Sequence, residues 1–144
     1  MRILLLAVMV AVVTGCAAPA PYEQKIEGII FKSGAPATNV KVRFLSEFPE
    51  ESCEIPGLEA TTDQAGKFIF SQKYIPSKTE RYAVVIHPYR LCMNIDGTWK
   101  TVWKLKTGPA PKSINFRCRL DVNGGAVCDF SSDGQNYRNG QDYR

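Results

Sequence analysis

Few residue types able to do chemistry occur in this 144-residue chain: one histidine, His87, and five cysteines, Cys16, Cys53, Cys92, Cys118 and Cys128. A single imidazole rules out multi-histidine metal sites and any mechanism that needs two. His87 stands at the end of an apolar stretch, beside Pro88 and Tyr89. No serine or cysteine nucleophile sits in a motif context, so it reads as a strand-end or partly buried histidine rather than a catalyst. No Cys-x-x-Cys pair occurs, so neither a zinc ribbon nor a thioredoxin-like redox site is indicated. Asp63, Asp96 and Asp121 stand singly in turn-like stretches, without the oxygen-rich spacing of a calcium loop. The expectation is a protein that is not an enzyme and holds neither metal nor cofactor.

Cys16 stands apart from the other cysteines. It follows Met1-Arg2 and an unbroken apolar run over 3–13. A membrane-spanning helix needs ~20 apolar residues, so this run has the size of a secretory signal instead. Val13-Thr14-Gly15-Cys16 resembles the lipobox of bacterial lipoproteins: an aliphatic residue, a small one, Gly or Ala, then Cys. The resemblance implies cleavage before Cys16, diacylation of its thiol, and often acylation of the new amine. Two or three acyl chains anchor firmly, at ~0.8 kcal/mol per buried CH₂. Ala17 follows where Asp would signal inner-membrane retention, which implies the outer membrane with the domain facing the periplasm. The other reading is an ordinary secretory signal cut at Ala18-Pro19-Ala20. On the lipoprotein reading 1–15 is the signal peptide and 16–24 a lipidated tether.

With Cys16 assigned to lipid, four cysteines remain, and an even set in an oxidising compartment reads as two disulfides. Three connectivities are open in principle, but local geometry selects one. Ile114, Phe116, Cys118 and Leu120 alternate with polar residues, and Asn123-Gly124-Gly125 turns the chain back into 126–130. A three-residue loop, Val122-Asn123-Gly124 with Gly124 left-handed, sets Leu120 opposite Ala126, Arg119 opposite Val127 and Cys118 opposite Cys128. Opposite β-carbons come within disulfide range, ~4 Å. Cys118–Cys128 is therefore the expected pair, and Cys53–Cys92 follows by elimination.

The elements that must position these residues are strands. With 44% hydrophobic and 22% charged residues the chain is neither disordered nor fibrous. A net charge of +4 is too mild to argue for nucleic acid. No stretch sustains a 3.6-residue apolar period, which excludes a helical bundle; period-two alternation dominates instead. Strands are expected over 25–31, 40–46, 66–70, 82–86, 98–106, 114–121 and 126–130, with the 82–86 run central and ending at His87-Pro88. Such a set predicts an all-β, disulfide-stapled sandwich over 25–130, about seven-stranded, antiparallel and transthyretin-like or Ig-like. The stretch 131–144, with its near-repeat Gly134-Gln135-Asn136-Tyr137-Arg138 and Gly140-Gln141-Asp142-Tyr143-Arg144, reads as a flexible polar tail, or as an adhesive one.

Along 98–106, alternation puts Trp99, Thr101, Trp103 and Leu105 on one face and Lys100, Val102, Lys104 and Lys106 on the other. The two tryptophans either pack into the core or form a sugar-stacking platform. Lys100, Lys104 and Lys106, with Arg117 and Arg119 on a neighbouring strand, predict one basic outer face. It would meet solvent, anionic headgroups or an acidic partner protein.

Gly28-Ile29-Ile30, then Gly34-Ala35-Pro36-Ala37-Thr38-Asn39-Val40, then Thr62-Asp63-Gln64-Ala65-Gly66-Lys67-Phe68 resemble, in order, the carboxypeptidase-regulatory-like or transthyretin-like β-sandwich domains. The resemblance covers about residues 26–71 and has no counterpart for the four-cysteine half. It implies a stabilising, adhesive or assembly module with no catalytic residues. The outer-membrane lipoprotein of type VI secretion is similar in architecture alone. The expectation is thus a non-enzymatic, lipid-anchored periplasmic module that contacts another envelope protein and no nucleic acid. The alternatives are an immunity or inhibitor lipoprotein against a secreted toxin, or a type VI secretion component.

Overall fold

Period-two stretches become strands in the computed structural model, which describes residues 20–46, 52–77, 79, 85, 87–107, 110–133 and 135–137. In chain order they are β1 (Tyr22–Lys32), β2 (Ala35–Pro36), β3 (Lys41–Ser46), β4 (Leu58–Thr61), β5 (Lys67–Tyr74), β6 (His87–Ile95), β7 (Thr98–Thr107), β8 (Ser113–Leu120), β9 (Ala126–Ser132) and β10 (Gln135–Tyr137). One sheet is ordered β10-β9-β8-β1-β2, with β5 also on β1; the other is β4-β3-β6-β7. The fold is the expected all-β sandwich with two disulfides. The strands that alternation did not signal are β2, β4 and β10, of 2, 4 and 3 residues. Segments that short hold too few positions to show a period.

Three boundaries differ from expectation. First, the sandwich is not wholly antiparallel: β1 and β8 run parallel, from Lys25↔Ser113 to Lys32↔Leu120. A parallel neighbour requires a long crossover, and the chain makes it by building the whole second sheet in between. Second, the central strand begins where it was expected to end. β6 starts at His87, while the run over 82–86 lies outside the described residues apart from Val85, which is not in a strand. Pro88 is tolerated because pairing with β3 starts only at Tyr89↔Ser46, so on that side no ladder donor is missing. Third, the sheet continues past Phe130. Gln135↔Ser132 and Tyr137↔Phe130 pair β10 back on β9, so the expected tail starts as a hairpin. Asp133 in its turn ties the hairpin to the start of β8, its carboxylate accepting from the backbone N–H of Lys112 (3.3 Å) and Ser113 (3.0 Å). Residues 138–144, with the second half of the near-repeat, lie outside the described residues.

The inner faces supply the core. Ile26, Ile30, Phe68, Phe70, Ile114 and Phe116 of one sheet meet Val42, Phe44, Tyr89, Leu91, Met93 and Trp103 of the other. Trp103 sits edge-on to Phe116 and Phe130, with centroids 4.8 and 4.9 Å away. Gly28 opens the space these rings need, since a Cβ there would fall 2.6 Å from the Phe68 ring and 2.8 Å from Phe116 Cβ.

The turn that resembles the carboxypeptidase-regulatory-like pattern is built from its own side chains. The Asp63 carboxylate accepts from the N–H of Ala65 (2.8 Å) and Lys67 (2.9 Å), and Gly66 takes φ +72°. Buried Thr62 donates to Ala37 O at 2.7 Å and accepts from Val40 N–H at 2.9 Å. One hydroxyl thus ties the loop before β3 to the turn before β5. Together with the Ser33-Gly34, Asp96-Gly97 and Val122–Gly124 turns it closes one end of the sandwich; β1 enters at the other.

Candidate functional site

The cysteines show how local register becomes tertiary fastening. Cys118 stands opposite Cys128, flanked by Arg119↔Val127 and Leu120↔Ala126, and the two are bonded with Cα atoms 4.0 Å apart. Gly124 has φ +74°, and Asp121 N–H donates to Gly125 O at 2.9 Å, the three-residue loop the sequence predicts. Both cysteines face the core. Cys53 and Cys92 are bonded as well, with Cα atoms 6.0 Å apart. This bond fastens the loop before β4 onto the outer face of the four-stranded sheet. Cys16 lies outside the described residues.

Around Cys53–Cys92 a second apolar cluster forms from Leu45, Ile55 and Trp99. Arg43 holds it down. Its guanidinium donates to Cys53 O (2.5 Å) and Ile55 O (3.3 Å), pairs with Glu59, and lies 4.1 Å from the Trp99 ring centroid. Trp99 and Trp103 therefore do not share a face. Pairing passes from Leu91↔Trp103 to Cys92↔Thr101, and the extra residue, Val102, shifts the alternation by one. Trp103 drops into the core while Trp99 and Thr101 turn outward over the disulfide, with Thr101 Oγ1 3.1 Å from Cys53 Sγ. A two-tryptophan sugar platform is thereby ruled out.

The same bulge, with the sheet order, disperses the expected basic face. β7 and β8 belong to different sheets. Lys100 stands opposite core residue Met93 at the rim and donates to Gly124 O at 3.1 Å. Lys104 stands opposite Arg90, on the outer row of the four-stranded sheet. Lys106 stands in β7 opposite Pro88, and its side chain lies outside the described residues. Arg117 and Arg119 alone fall together, on the outer face of the six-stranded sheet.

That outer face is what the sequence reading missed. It carries Ile29 and Phe31 from β1, Ile69 from β5 and Val127 from β9, with Ile69 57% and Val127 38% exposed. The Arg117 guanidinium lies 5.0 Å from the Phe31 ring centroid. Arg119 stands between Phe31 and Val127 in register. A shallow groove of about 620 Å³ opens on this side, lined by Glu27, Ile29, Lys67, Ile69 and Asn115, with Ala60 and Thr61 at its rim. A signal was present: 25–31 and 66–70 place apolar residues at both parities, which a strand covered on one face does not need.

His87 is buried at the start of β6, with Nε2 3.2 Å from the Tyr74 hydroxyl and its ring against Tyr89. Beside it the buried Gln24 amide donates to Pro111 O at 2.6 Å. These contacts bind the β1, β5 and β6 ends to one another. Among the described residues no three metal-ligating side chains gather.

Residues 26–122 match the family described as Domain of unknown function (DUF6795), from within β1 to the turn after β8. No curated protein matches the chain.

Proposed function

This chain belongs to the DUF6795 family, and we propose that it acts there as a lipid-anchored, non-enzymatic module of the cell envelope that binds another envelope protein. One observation carries the reading: the outer face of the six-stranded sheet keeps Ile69 and Val127 exposed beside the Arg117–Phe31 stack and Arg119. Aromatic and arginine side chains around accessible apolar residues are the composition of protein contact faces. A sandwich held by two disulfides presents that face rigidly, which lowers the ordering cost of a standing contact. The lipobox supplies the tether, and the disulfides suit the oxidising periplasm that the tether implies.

The test places a photo-crosslinking side chain at Val127 or at Lys104 in cells that make the protein. We expect capture of a defined envelope protein from Val127, none from Lys104, and loss of capture in Arg117→Glu/Arg119→Glu. Cys16→Ser should move the processed protein out of the membrane pellet after a high-salt wash. Equal capture from both faces would refute the contact face, and a processed Cys16→Ser variant that still pellets would refute the tether.

A further inference from the structure

We infer that the free edge of β5 receives an extended strand of the partner protein, one that carries acidic residues six positions apart. The inference rests on the protein-contact reading above and deepens it. An unpaired strand edge presents a row of backbone N–H and C=O groups that any other strand can use. Three edge strands, β2, β4 and β10, are only 2, 4 and 3 residues long. The long edge β7 carries the Val102 bulge and lysines at 100, 104 and 106, which are the devices that stop strand addition.

β5 has none of these devices along its middle. It runs eight residues, pairs with β1 from Tyr22↔Tyr74 to Ile29↔Lys67 without a register shift, and among the described residues has no pairing on its other side. Phe68-Ile69-Phe70-Ser71 contains no charge and no proline, and its outward residue Ile69 is 57% exposed. The groove reaches this edge, lined there by Lys67, Phe68 and Ile69 of β5 and by Ala60 and Thr61 of β4, and it continues over Glu27 and Ile29 of β1 and Asn115 of β8. Strand addition of this kind draws affinity from main-chain bonds and specificity from alternate side chains.

Charge selects the occupant. Lys67 and Lys73 bracket the uncharged stretch on the outer row; Glu23 stands opposite Lys73 in β1 and accepts from Ser71, Glu27 pairs with Lys25, and neither Lys67 nor Lys73 makes an ion pair among the described residues. Six residues of strand put them ~20 Å apart. A second copy of this chain fits poorly. Antiparallel self-pairing centred on Phe70 sets Lys67 against Lys73 twice, and centring on Ser71 sets Lys73 against Ile69 twice. Like charges directly opposite destabilise a ladder, whereas opposite charges stabilise it.

The test uses the purified full chain, ¹⁵N-labelled in detergent, and the synthetic probe Glu-Thr-Val-Thr-Val-Thr-Glu. We expect amide shifts confined to β5 and to Ala60 and Thr61. A Lys-flanked version of the probe should bind about tenfold more weakly. Lys67→Glu/Lys73→Glu, checked for an intact amide spectrum, should reverse that order. N-methylating the probe at residues 2, 4 and 6, or at 3 and 5, should abolish binding for whichever set faces the edge and spare the other. The inference is overturned if both flanking charges bind equally, if neither methylated set loses binding, or if shifts map away from β5. Concentration-dependent dimerisation that protects β5 amides would assign the edge to a second copy and overturn it too. Crosslinking from Val127 without any probe binding would leave the contact face standing and remove only the strand-addition inference.

Discussion

Removing the two disulfides one at a time should cost unequal amounts of stability, and the structure sets the order. Cys53 and Cys92 are 39 residues apart in sequence, Cys118 and Cys128 only 10. On the chain-entropy relation, releasing the longer loop in the unfolded state costs about 4 kcal/mol and the shorter about 2.7 kcal/mol. Each pair contains a fully buried cysteine, Cys92 or Cys118, so the packing lost with the sulfurs cancels to first order. The long-range bond has a further consequence. It presses Cys53 O and Ile55 O onto the Arg43 guanidinium, and freeing the loop exposes those charge-assisted hydrogen bonds to water. Cys118 and Cys128 instead sit in a tight hairpin that the Val122–Gly124 loop already brings together. We therefore expect Cys53→Ala/Cys92→Ala to be destabilised by about 1–3 kcal/mol more than Cys118→Ala/Cys128→Ala. Equilibrium urea unfolding followed by tryptophan emission, with all proteins at one concentration, measures the difference. If the hairpin pair proves the more costly, loop length does not govern stapling in this sandwich and the reasoning is wrong.

Gly28→Ala should lose about 1–3 kcal/mol by overpacking, since its Cβ collides with the Phe68 ring and with Phe116 Cβ; an unchanged urea midpoint would show that the rings can yield. Thr62→Val keeps the shape but removes the hydroxyl that serves both Ala37 O and Val40 N–H, and should cost about 1–3 kcal/mol, read as a lowered thermal midpoint. Arg43→Leu should uncover Trp99 while leaving Trp103 buried, so quenching by acrylamide should rise for one tryptophan only; Trp99→Phe in the same background should abolish the rise.

Cys118–Cys128 and the turn chemistry were legible because they depend on neighbours in sequence, and Cys53–Cys92, 39 residues apart, followed only by elimination. Asn123-Gly124 fixes a loop length, loop length fixes register, and register sets Cys118 against Cys128. Thr62, Asp63 and Gly66 are readable for the same reason, although only the structure shows Thr62 reaching back to Ala37 and Val40. The misplaced residues share the opposite feature. Trp99 and Trp103 look equivalent under strict alternation, and one bulge at Val102 separates them. Bulges answer to how a strand must bend against its partner, which no single stretch of sequence encodes.

Sequence by itself determined that this chain is built of strands, where most of them run, and that Cys118 pairs with Cys128, because period-two patterning and hairpin loops are local physics. Tertiary structure alone decided which sheet each strand joins. That choice put β1 parallel to β8, sent Lys104 and Arg117 to different sheets, and left Ile29, Phe31, Ile69 and Val127 gathered on one outer face. The reason is that strand partners lie tens of residues apart and are chosen by the burial of whole faces. A residue's outward neighbours therefore come from strands its own segment cannot name.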